Sequence, residues 1–269
     1  MTAGPRPAAG RDPRLEAIRR LGPWFHNLHL PGGVETAPDH ALGDFPRYKW
    51  EVLAPLLPAD LRGWRALDVG CNAGYYSFEL ARRGAAVTGI DVDPRYLEQA
   101  RWAARELGLE SAVEFRRMQV YELALEPARF DLVLFMGVFY HLRYPLLALD
   151  LVARRTGRLL VFQTLTAPEA AESAPPRDPG LDGREALVAP GWPKLAFIER
   201  ELAGDPTNWW VPTGAAVEAL LRSSGLRVRE RPGHEIYLCE PAEPGGPGGP
   251  PYDFTRELLA ATGREWRAP

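Results

Sequence analysis

The run Leu67-Asp68-Val69-Gly70-Cys71-Asn72-Ala73-Gly74 combines an acidic residue with two glycines and has the form of a strand-to-helix turn. Gly70 and Gly74 let the backbone approach a ligand closely, and Asn72 is one of the few residue types that tolerate a left-handed backbone. Asp91 ends the next apolar run, where a carboxylate can accept hydrogen bonds from the hydroxyls of a ribose. These residues predict a nucleoside-containing ligand at the carboxyl edge of a sheet.

The turn has no further phosphate-type glycine pattern at the helix start, which disfavours a dinucleotide. S-adenosyl-L-methionine has no phosphate, but its ammonium group needs an acceptor, which Asp68 can supply directly or indirectly. The pattern therefore predicts a methyltransferase with S-adenosyl-L-methionine as cofactor; a dinucleotide enzyme or a purely structural turn are the alternatives. The expected cofactor-binding residues are Asp68, Gly70, Cys71, Asn72, Gly74, Asp91, Val92, Gln119, Val120 and Met136, with Gln119 beside the adenine.

Apolar strand-like runs alternate with helical stretches from Arg65 onward, which is typical of a parallel sheet with helices on both faces. The expected fold class is α/β, a Rossmann-like doubly wound sheet that is mostly parallel with a final antiparallel strand. The predicted strands are 65–70, 86–91, 113–118, 130–137, 158–165, 226–231 and 235–240. The predicted helices are 13–21, 45–57, 75–83, 94–107, 145–155, 213–224 and 253–262.

Composition divides the chain into four parts. Residues 1–12 are rich in Pro, Gly and Ala and are expected to be disordered, and residues 13–57 should form an N-terminal helical cap. Residues 58–240 should form the class I methyltransferase domain, with a lid insertion at about 166–212 where the regular alternation breaks. Residues 241–269 are predicted to be a Pro/Gly linker and a C-terminal tail helix.

Composition also excludes several classes of protein. The 269 residues carry a net charge of −3, and none of their apolar runs reaches the roughly 20 residues of a membrane span. The N-terminus lacks an apolar signal segment, so a cytoplasmic location is expected. Cys71 and Cys239 are too few for a disulfide framework, and no Cys/His spacing predicts a metal site. A small molecule is the expected partner, nucleic acid is unlikely, no membrane is involved, and the oligomeric state is undetermined.

Three residues are candidates for the chemistry of transfer. His141 follows the fourth strand of the predicted sheet, where side chains face the methyl group, and histidine can serve as a base near neutral pH. Tyr140 could orient the acceptor or close the pocket around the methyl group. Lys49 is one of only two lysines; its charge, about 5 Å from a sulfonium, would be repelled by roughly 3 kcal/mol at an effective dielectric near 20. An anionic group of the substrate should therefore lie between them.

Four further residues are expected to bind the substrate: Trp24, His26, Trp209 and Trp210. The tryptophans would wall an apolar acceptor pocket, and the alternative for each of them is an ordinary core residue.

The run Met136-Gly137-Val138-Phe139-Tyr140-His141-Leu142-Arg143-Tyr144-Pro145-Leu146 resembles the family of the tRNA wobble-uridine carboxymethyltransferase and its smaller methyltransferase relatives. The resemblance extends to Arg47-Tyr48-Lys49-Trp50, to the glycine-containing turn and weakly to Asn208-Trp209-Trp210-Val211-Pro212. It covers about residues 45–241. The Tyr-His motif is its most specific part.

The resemblance implies a donor site with one departure. The tRNA enzyme uses a carboxylated cofactor, held by a lysine near Lys49, a tyrosine near Tyr140 and an arginine late in the sheet. In this chain the last strand, His234-Glu235-Ile236-Tyr237-Leu238-Cys239, contains no arginine. We therefore expect the ordinary cofactor and O- or N-methylation of a small organic acceptor. A tRNA-modifying enzyme and a catalytically silent cofactor-binding protein are the alternatives.

Overall fold

The computed structural model describes residues 12–168, 181–233, 235–243 and 253–263. Its strands are β1 (His29–Leu30), β2 (Val34–Glu35), β3 (Arg65–Val69), β4 (Ala86–Asp91), β5 (Val113–Arg117), β6 (Phe130–Met136), β7 (Thr156–Gln163), β8 (Leu195–Phe197), β9 (Trp210–Pro212), β10 (Leu226–Gly233) and β11 (Ile236–Pro241). Its α-helices are α1 (Pro13–Leu21), α2 (Arg47–Leu53), α3 (Tyr75–Arg82), α4 (Pro94–Glu106), α5 (Pro145–Arg155), α6 (Gly214–Ser223) and α7 (Thr255–Ala261).

Seven strands form one sheet in the order β10-β11-β7-β6-β3-β4-β5. The strands β3 to β7 run parallel, and β11 is antiparallel to both of its neighbours. The predicted doubly wound sheet with a final antiparallel strand is confirmed. Because the order reverses at β3, the carboxyl ends of β4, β3, β6 and β7 lie side by side at the switch point where such sheets bind ligands.

Burial explains why the central segments become strands. Only Asp131 of the seven residues in β6 is not fully buried, which is the continuous apolar run expected of a strand covered on both faces. The helices begin at suitable residues; for example, the Asp93 carboxylate accepts a hydrogen bond of 2.8 Å from the Arg95 amide at the start of α4. These elements give the carboxyl edge a rigid base.

The N-terminal segment folds over α4 and α3. The Gln99 side chain of α4 donates hydrogen bonds of 2.8 and 2.9 Å to the carbonyls of Leu21 and Pro23, and thereby fixes the end of α1. The helix predicted over 45–57 is shorter than expected, because α2 starts at Arg47 and changes into a 3₁₀ turn over 54–56. Pro55 lacks the amide hydrogen that a continued α-helix requires.

The lid and tail regions are described in part. The segment 166–212 contains a 3₁₀ segment over 181–188 and the antiparallel β8–β9 ribbon, whereas residues 169–180 lie outside the described residues. The predicted disordered segment 1–12 falls outside them except for residue 12, and so do 244–252 of the predicted linker. Helix α7 buries Leu258, and Arg154 of α5 donates a 3.1 Å bond to Thr255. Of the described helices, none has the length and apolarity of a membrane span.

Candidate active site

The loop between β3 and α3 contains three left-handed residues. Gly70, Asn72 and Gly74 have φ angles of 70°, 50° and 88°. A Cβ atom at Gly70 would lie 2.4 Å from Cγ2 of Val138, so the loop touches the segment after β6 too closely for any side chain. The asparagine takes the left-handed backbone that its type predicts. The loop is therefore built for close contact with a neighbour or a ligand.

Asp91 fixes this loop through its carboxylate. Its Oδ2 accepts a hydrogen bond of 2.9 Å from the Asn72 amide, and its Oδ1 accepts one of 2.9 Å from the Asp93 amide. Burial raises the pKa of Asp91, an effect that these backbone donors oppose. Each oxygen keeps a further acceptor position, so the carboxylate can also receive the hydroxyls of a ribose.

Asp68 lies deeper in the sheet. It is 3% exposed, accepts a 2.6 Å hydrogen bond from the Ser77 hydroxyl of α3, and has a pKa raised to about 6 by burial. The carboxylate thereby ties β3 to the first turns of α3. Its predicted role toward the cofactor's ammonium group stays a prediction, and the contact with Ser77 favours an indirect route.

The remaining predicted cofactor residues border the same edge. Cys71 is buried behind the loop, with its sulfur 3.1 Å from the place of a Cβ at Gly89. Gln119 precedes the 3₁₀ turn over 120–124, and its backbone amide donates a hydrogen bond of 2.7 Å to the Glu122 carboxylate. Val120 and Met136 are 4% and 8% exposed, whereas Val92 is 45% exposed. The structure thus places all of these residues along the ends of β3 to β6.

A polar cluster of Lys49, Tyr140, Gln163 and Glu235 lies past the ends of β6 and β7. The Lys49 ammonium donates to Oε1 of Gln163 at 3.4 Å, and Nε2 of the same amide donates to Oε2 of Glu235 at 3.4 Å. The place of a Cβ at Gly137 is 3.7 Å from the Tyr140 hydroxyl and 3.8 Å from Oε1 of Gln163. Gly137, which borders the cluster, is therefore the neighbour in sequence of Val138, which touches the loop between β3 and α3.

The charges of the cluster balance one another. Burial lowers the pKa of Lys49, and the Glu235 carboxylate opposes that shift. Burial, with Glu235 and Asp205 as smaller causes, raises the pKa of Tyr140 to about 12, so the phenol is a neutral donor at physiological pH. Glu235 therefore supplies one negative charge near Lys49, and the anionic group expected on the substrate stays a prediction.

His141 belongs to a hydrogen-bonded chain with two residues of the segment 166–212, the predicted lid. Its Nδ1 lies 2.9 Å from the Thr207 hydroxyl, which donates to Oδ1 of Asp205 at 2.6 Å. Because the hydroxyl gives its only proton to Asp205, it accepts from Nδ1, and Nε2 is left as the basic nitrogen. Burial lowers the pKa of His141, which Asp205 partly opposes, so the ring is neutral near pH 7.

His26, one of the residues predicted to bind the substrate, lies near Lys49. The buried His26 is surrounded by the rings of Phe45, Tyr75 and Tyr76, and its Nδ1 has no hydrogen-bond partner among the described residues. Burial, with the charges of His40 and Lys49, lowers the pKa of His26 to about 3. His26 is therefore a neutral, aromatic-walled group close to Lys49.

The tryptophans separate into two places. The backbone amide of Trp209 donates a hydrogen bond of 2.8 Å to the Tyr140 carbonyl. Trp209 and Trp210 both pack against Phe197 of β8. Trp24 instead packs edge-on against Trp102 of α4 at 5.7 Å and donates its indole hydrogen to the Ile18 carbonyl. The structure therefore brings Trp209 and Trp210 beside the Tyr-His motif, whereas Trp24 packs in the core with α4.

A cavity of about 570 Å³ opens elsewhere, between the cap and α3. Its charged residues are paired with each other, Arg47 with Glu51 and Arg82 with Glu79. It contains none of the predicted site residues, and we assign it no ligand. Within the part of the chain that the structure describes, no three His, Cys, Asp or Glu side chains are grouped to hold a metal ion.

Four site residues escaped the sequence analysis: Gln163, Glu235, Thr207 and Asp205. Each is separated from Tyr140 by more than 20 residues of chain, and their types are common in loops. Gln163 carried a weak signal, as a polar residue near the end of a predicted buried strand. Glu235, Thr207 and Asp205 carried no signal in the sequence, because only the folding of the segment 166–212 and of the β10–β11 turn brings them to the carboxyl edge of the sheet.

Comparison with known proteins agrees with this geometry. Residues 66–158 match the family described as a methyltransferase domain. The chain is similar to the tRNA U34 carboxymethyltransferase of Cellvibrio japonicus, with 31% identity over 219 residues, and to that of Shewanella piezotolerans, with 34% identity over 227 residues. These alignments cover 79% and 82% of this chain but only 58% and 60% of the relatives. The chain thus spans about three fifths of their length.

Solved structures with the same fold are more distant in sequence. The N-terminal domain of EvdMO1 with SAH bound has a TM-score of 0.57 and 22% identity, and the alignment covers 88% of this chain and 100% of that one. The [4+2]-cyclase SpnF has a TM-score of 0.53 and 21% identity, with coverages of 81% and 70%. At this level of identity the likeness shows the fold alone.

The strand order, the left-handed loop beside Asp91 and the family match together define a class I S-adenosylmethionine-dependent methyltransferase domain. Its cofactor is S-adenosyl-L-methionine. Within this class the chain resembles the tRNA U34 carboxymethyltransferases, which confirms the resemblance seen at Tyr140-His141.

Proposed function

We propose that this chain transfers a methyl group from S-adenosyl-L-methionine to an oxygen or nitrogen of a small organic acceptor. The observation that carries the proposal is the polar cluster of Lys49, Tyr140, Gln163 and Glu235 beside the loop between β3 and α3, which we call the cofactor loop. The cofactor supplies an electrophilic methyl group when bound. The protein has to align the acceptor with that group and remove its proton.

His141 is suited to the proton transfer. Its lowered pKa keeps it neutral, and its Nδ1 is engaged by Thr207, so Nε2 is the nitrogen that would accept the acceptor's proton. The Asp205 carboxylate, 3.7 Å from Nδ1, stabilises the imidazolium that results. Tyr140 would donate a hydrogen bond to the acceptor, with its hydroxyl near the end of β6.

Lys49 would bind a polar group of the acceptor. The sequence predicts that Lys49 binds an anionic group of the substrate. Because Glu235 already supplies a negative charge near Lys49, acceptors with a neutral hydroxyl group at this position also fit the proposal. His26 and the rings around it, with Trp209 and Trp210, would limit the acceptor to a small, partly apolar molecule.

The experiment is a turnover assay of the purified chain with S-adenosyl-L-methionine. Release of S-adenosylhomocysteine is measured with a panel of phenols, carboxylic acids and amines, and with unmodified tRNA. The proposal expects turnover with a small acceptor. Turnover with tRNA alone would establish the function that the relatives' names describe, and cofactor binding with no turnover on any acceptor would favour a silent protein; either result contradicts the proposal.

The two lysines provide a matched pair of variants. Lys49→Ala should raise KM for the acceptor about tenfold or more and leave the dissociation constant of the cofactor within about threefold, because Lys49 is assigned to the acceptor side. Lys194→Ala, an exposed residue of the lid region, should change neither. Equal losses of acceptor and cofactor binding in Lys49→Ala would remove this assignment.

Modification of tRNA is the second candidate, and the names of the relatives favour it. Against it, exposed arginines such as Arg116 and Arg227 are paired with Glu114 and Glu240, which reduces the free positive charge available for phosphates. The expectation that nucleic acid is an unlikely partner, like that of a cytoplasmic location, stays a prediction.

A further inference from the structure

Glu235 occupies the turn before β11 with a φ angle of 67°, in the left-handed region that favours glycine. Its carboxylate stabilises this backbone by accepting from the Thr166 amide at 2.7 Å and from the Gln163 side chain at 3.4 Å. Its own carbonyl accepts from the Thr164 amide at 3.4 Å. The contacts hold a carboxylate in place at the end of β7.

The residues around this carboxylate lie at the donor end of the site, by which we mean the end that would hold the sulfur of the cofactor and the group it transfers. Lys49 reaches the same Gln163 amide, and Gly137 brings the Tyr140 hydroxyl within a few ångströms of it. Val138 then connects this group to the cofactor loop through its contact with Gly70. Among the described residues, the charged groups that such a group on the sulfur of the cofactor would face include the cation Lys49 and the anion Glu235.

The charges of Lys49 and Glu235 bear on which group the site can transfer. The relatives are named carboxymethyltransferases, and a carboxymethyl group bears a negative charge at neutral pH. A site for such a group needs a cation that is not already balanced. We propose that Glu235 is a specificity-determining residue that selects a donor with an uncharged methyl group and excludes a donor whose transferred carbon bears a carboxylate.

The magnitude follows from the charges. At an effective dielectric near 20, the repulsion between two carboxylates assumed to lie about 6 Å apart corresponds to about 100-fold in affinity. The attraction of Lys49 for the donor's carboxylate offsets part of this repulsion, so we expect a net effect of about tenfold. Glu235 also attracts the positively charged sulfur, but both donors carry that sulfur, so this attraction does not change the preference between them. The inference rests on the proposed donor site but not on the identity of the acceptor.

The experiment compares two donors by calorimetry without any acceptor. S-adenosyl-L-methionine and its analogue with a carboxylate on the methyl carbon are titrated into the wild-type chain, Glu235→Gln, Glu235→Arg and the control Glu230→Gln, which changes an exposed glutamate of β10. The wild type and the control should prefer the ordinary donor by at least tenfold. Glu235→Gln should narrow the preference by about tenfold, and Glu235→Arg should abolish or invert it.

Two results would overturn the inference: a wild-type chain that binds the carboxylated donor as tightly as the ordinary one, or a preference that both Glu235 variants leave unchanged. Far-ultraviolet circular dichroism of each variant identifies any loss of folding, and Glu235→Gln preserves the shape of the side chain if Glu235→Arg unfolds. Turnover with tRNA would contradict the proposed acceptor while leaving this donor ratio as an independent result.

Discussion

Gly70→Ala tests whether the cofactor loop is fixed by its contact with the segment after β6. The methyl group would lie 2.4 Å from Cγ2 of Val138, more than 1 Å inside an ordinary carbon–carbon contact. Overpacking of this kind costs about 1–3 kcal/mol, and alanine at φ 70° adds about 1–2 kcal/mol. The free energy of unfolding should therefore fall by about 2–5 kcal/mol.

The chain offers matched controls that separate these two costs. Gly108 has a φ of 65° and no atom within 4 Å of its Cβ position, so Gly108→Ala should show the backbone cost alone, about 1–2 kcal/mol. Val138→Ala removes Cγ2 and leaves the nearest remaining atom, its Cβ, 3.7 Å from the new methyl group. The double variant Gly70→Ala/Val138→Ala should recover about 1–3 kcal/mol relative to additivity.

Urea unfolding and calorimetric binding of S-adenosylhomocysteine measure both effects. A loop displaced by about 1 Å should weaken binding in Gly70→Ala by about tenfold to 100-fold, with partial recovery in the double variant. Gly108→Ala should bind normally. If Gly70→Ala is no less stable than Gly108→Ala and binds within about twofold of the wild type, then the contact with Val138 does not fix the loop.

Two further predictions concern titrating groups. In Asp205→Asn the pKa of His141, already lowered by burial, should fall further because the carboxylate that opposes this shift is lost. The acidic limb of the plot of kcat/KM against pH should therefore move to lower pH. A limb that stays in place or moves to higher pH would show that His141 is not the base. Burial raises the pKa of Asp68 from 3.8 to about 6, so the carboxyl group keeps its proton in the folded state up to about pH 6. The free energy of unfolding of the cofactor-free chain should therefore fall by about 2 kcal/mol from pH 4 to 6.5. Asp68→Asn, measured by urea unfolding across this range, should lose that part of the slope; parallel slopes for the two chains would contradict the raised pKa.

The fold was largely accessible from the sequence because its signals are local. Buried parallel strands appear as continuous apolar runs, and helices α4 and α5 begin at prolines that the pattern located correctly. The break of the predicted helix over 45–57 was missed, since apolar spacing continues through Pro55 although the α-helical hydrogen bonding does not. The short β1–β2 and β8–β9 ribbons were also missed, because strands of two or three residues carry almost no periodicity.

The choice of acceptor is not decided by the fold. The similarity to a [4+2]-cyclase, at 21% identity, shows that this arrangement of strands also occurs in a protein named for a different reaction. Any statement about the acceptor depends on the polar cluster and on the His141-Thr207-Asp205 chain. Both lie in loops after strands, where sequence patterns are least informative.

The sequence by itself determined the cofactor loop and the class of domain. Gly70, Asn72, Gly74 and Asp91 lie within 22 residues of one another, and the backbone angles and hydrogen bonds they make follow from their types and from one strand-to-helix turn. Tertiary structure alone decided the charge balance of the donor end. Lys49 and Glu235 are 186 residues apart, and only the antiparallel docking of β11 on β7 brings the glutamate to the amide that the lysine also contacts.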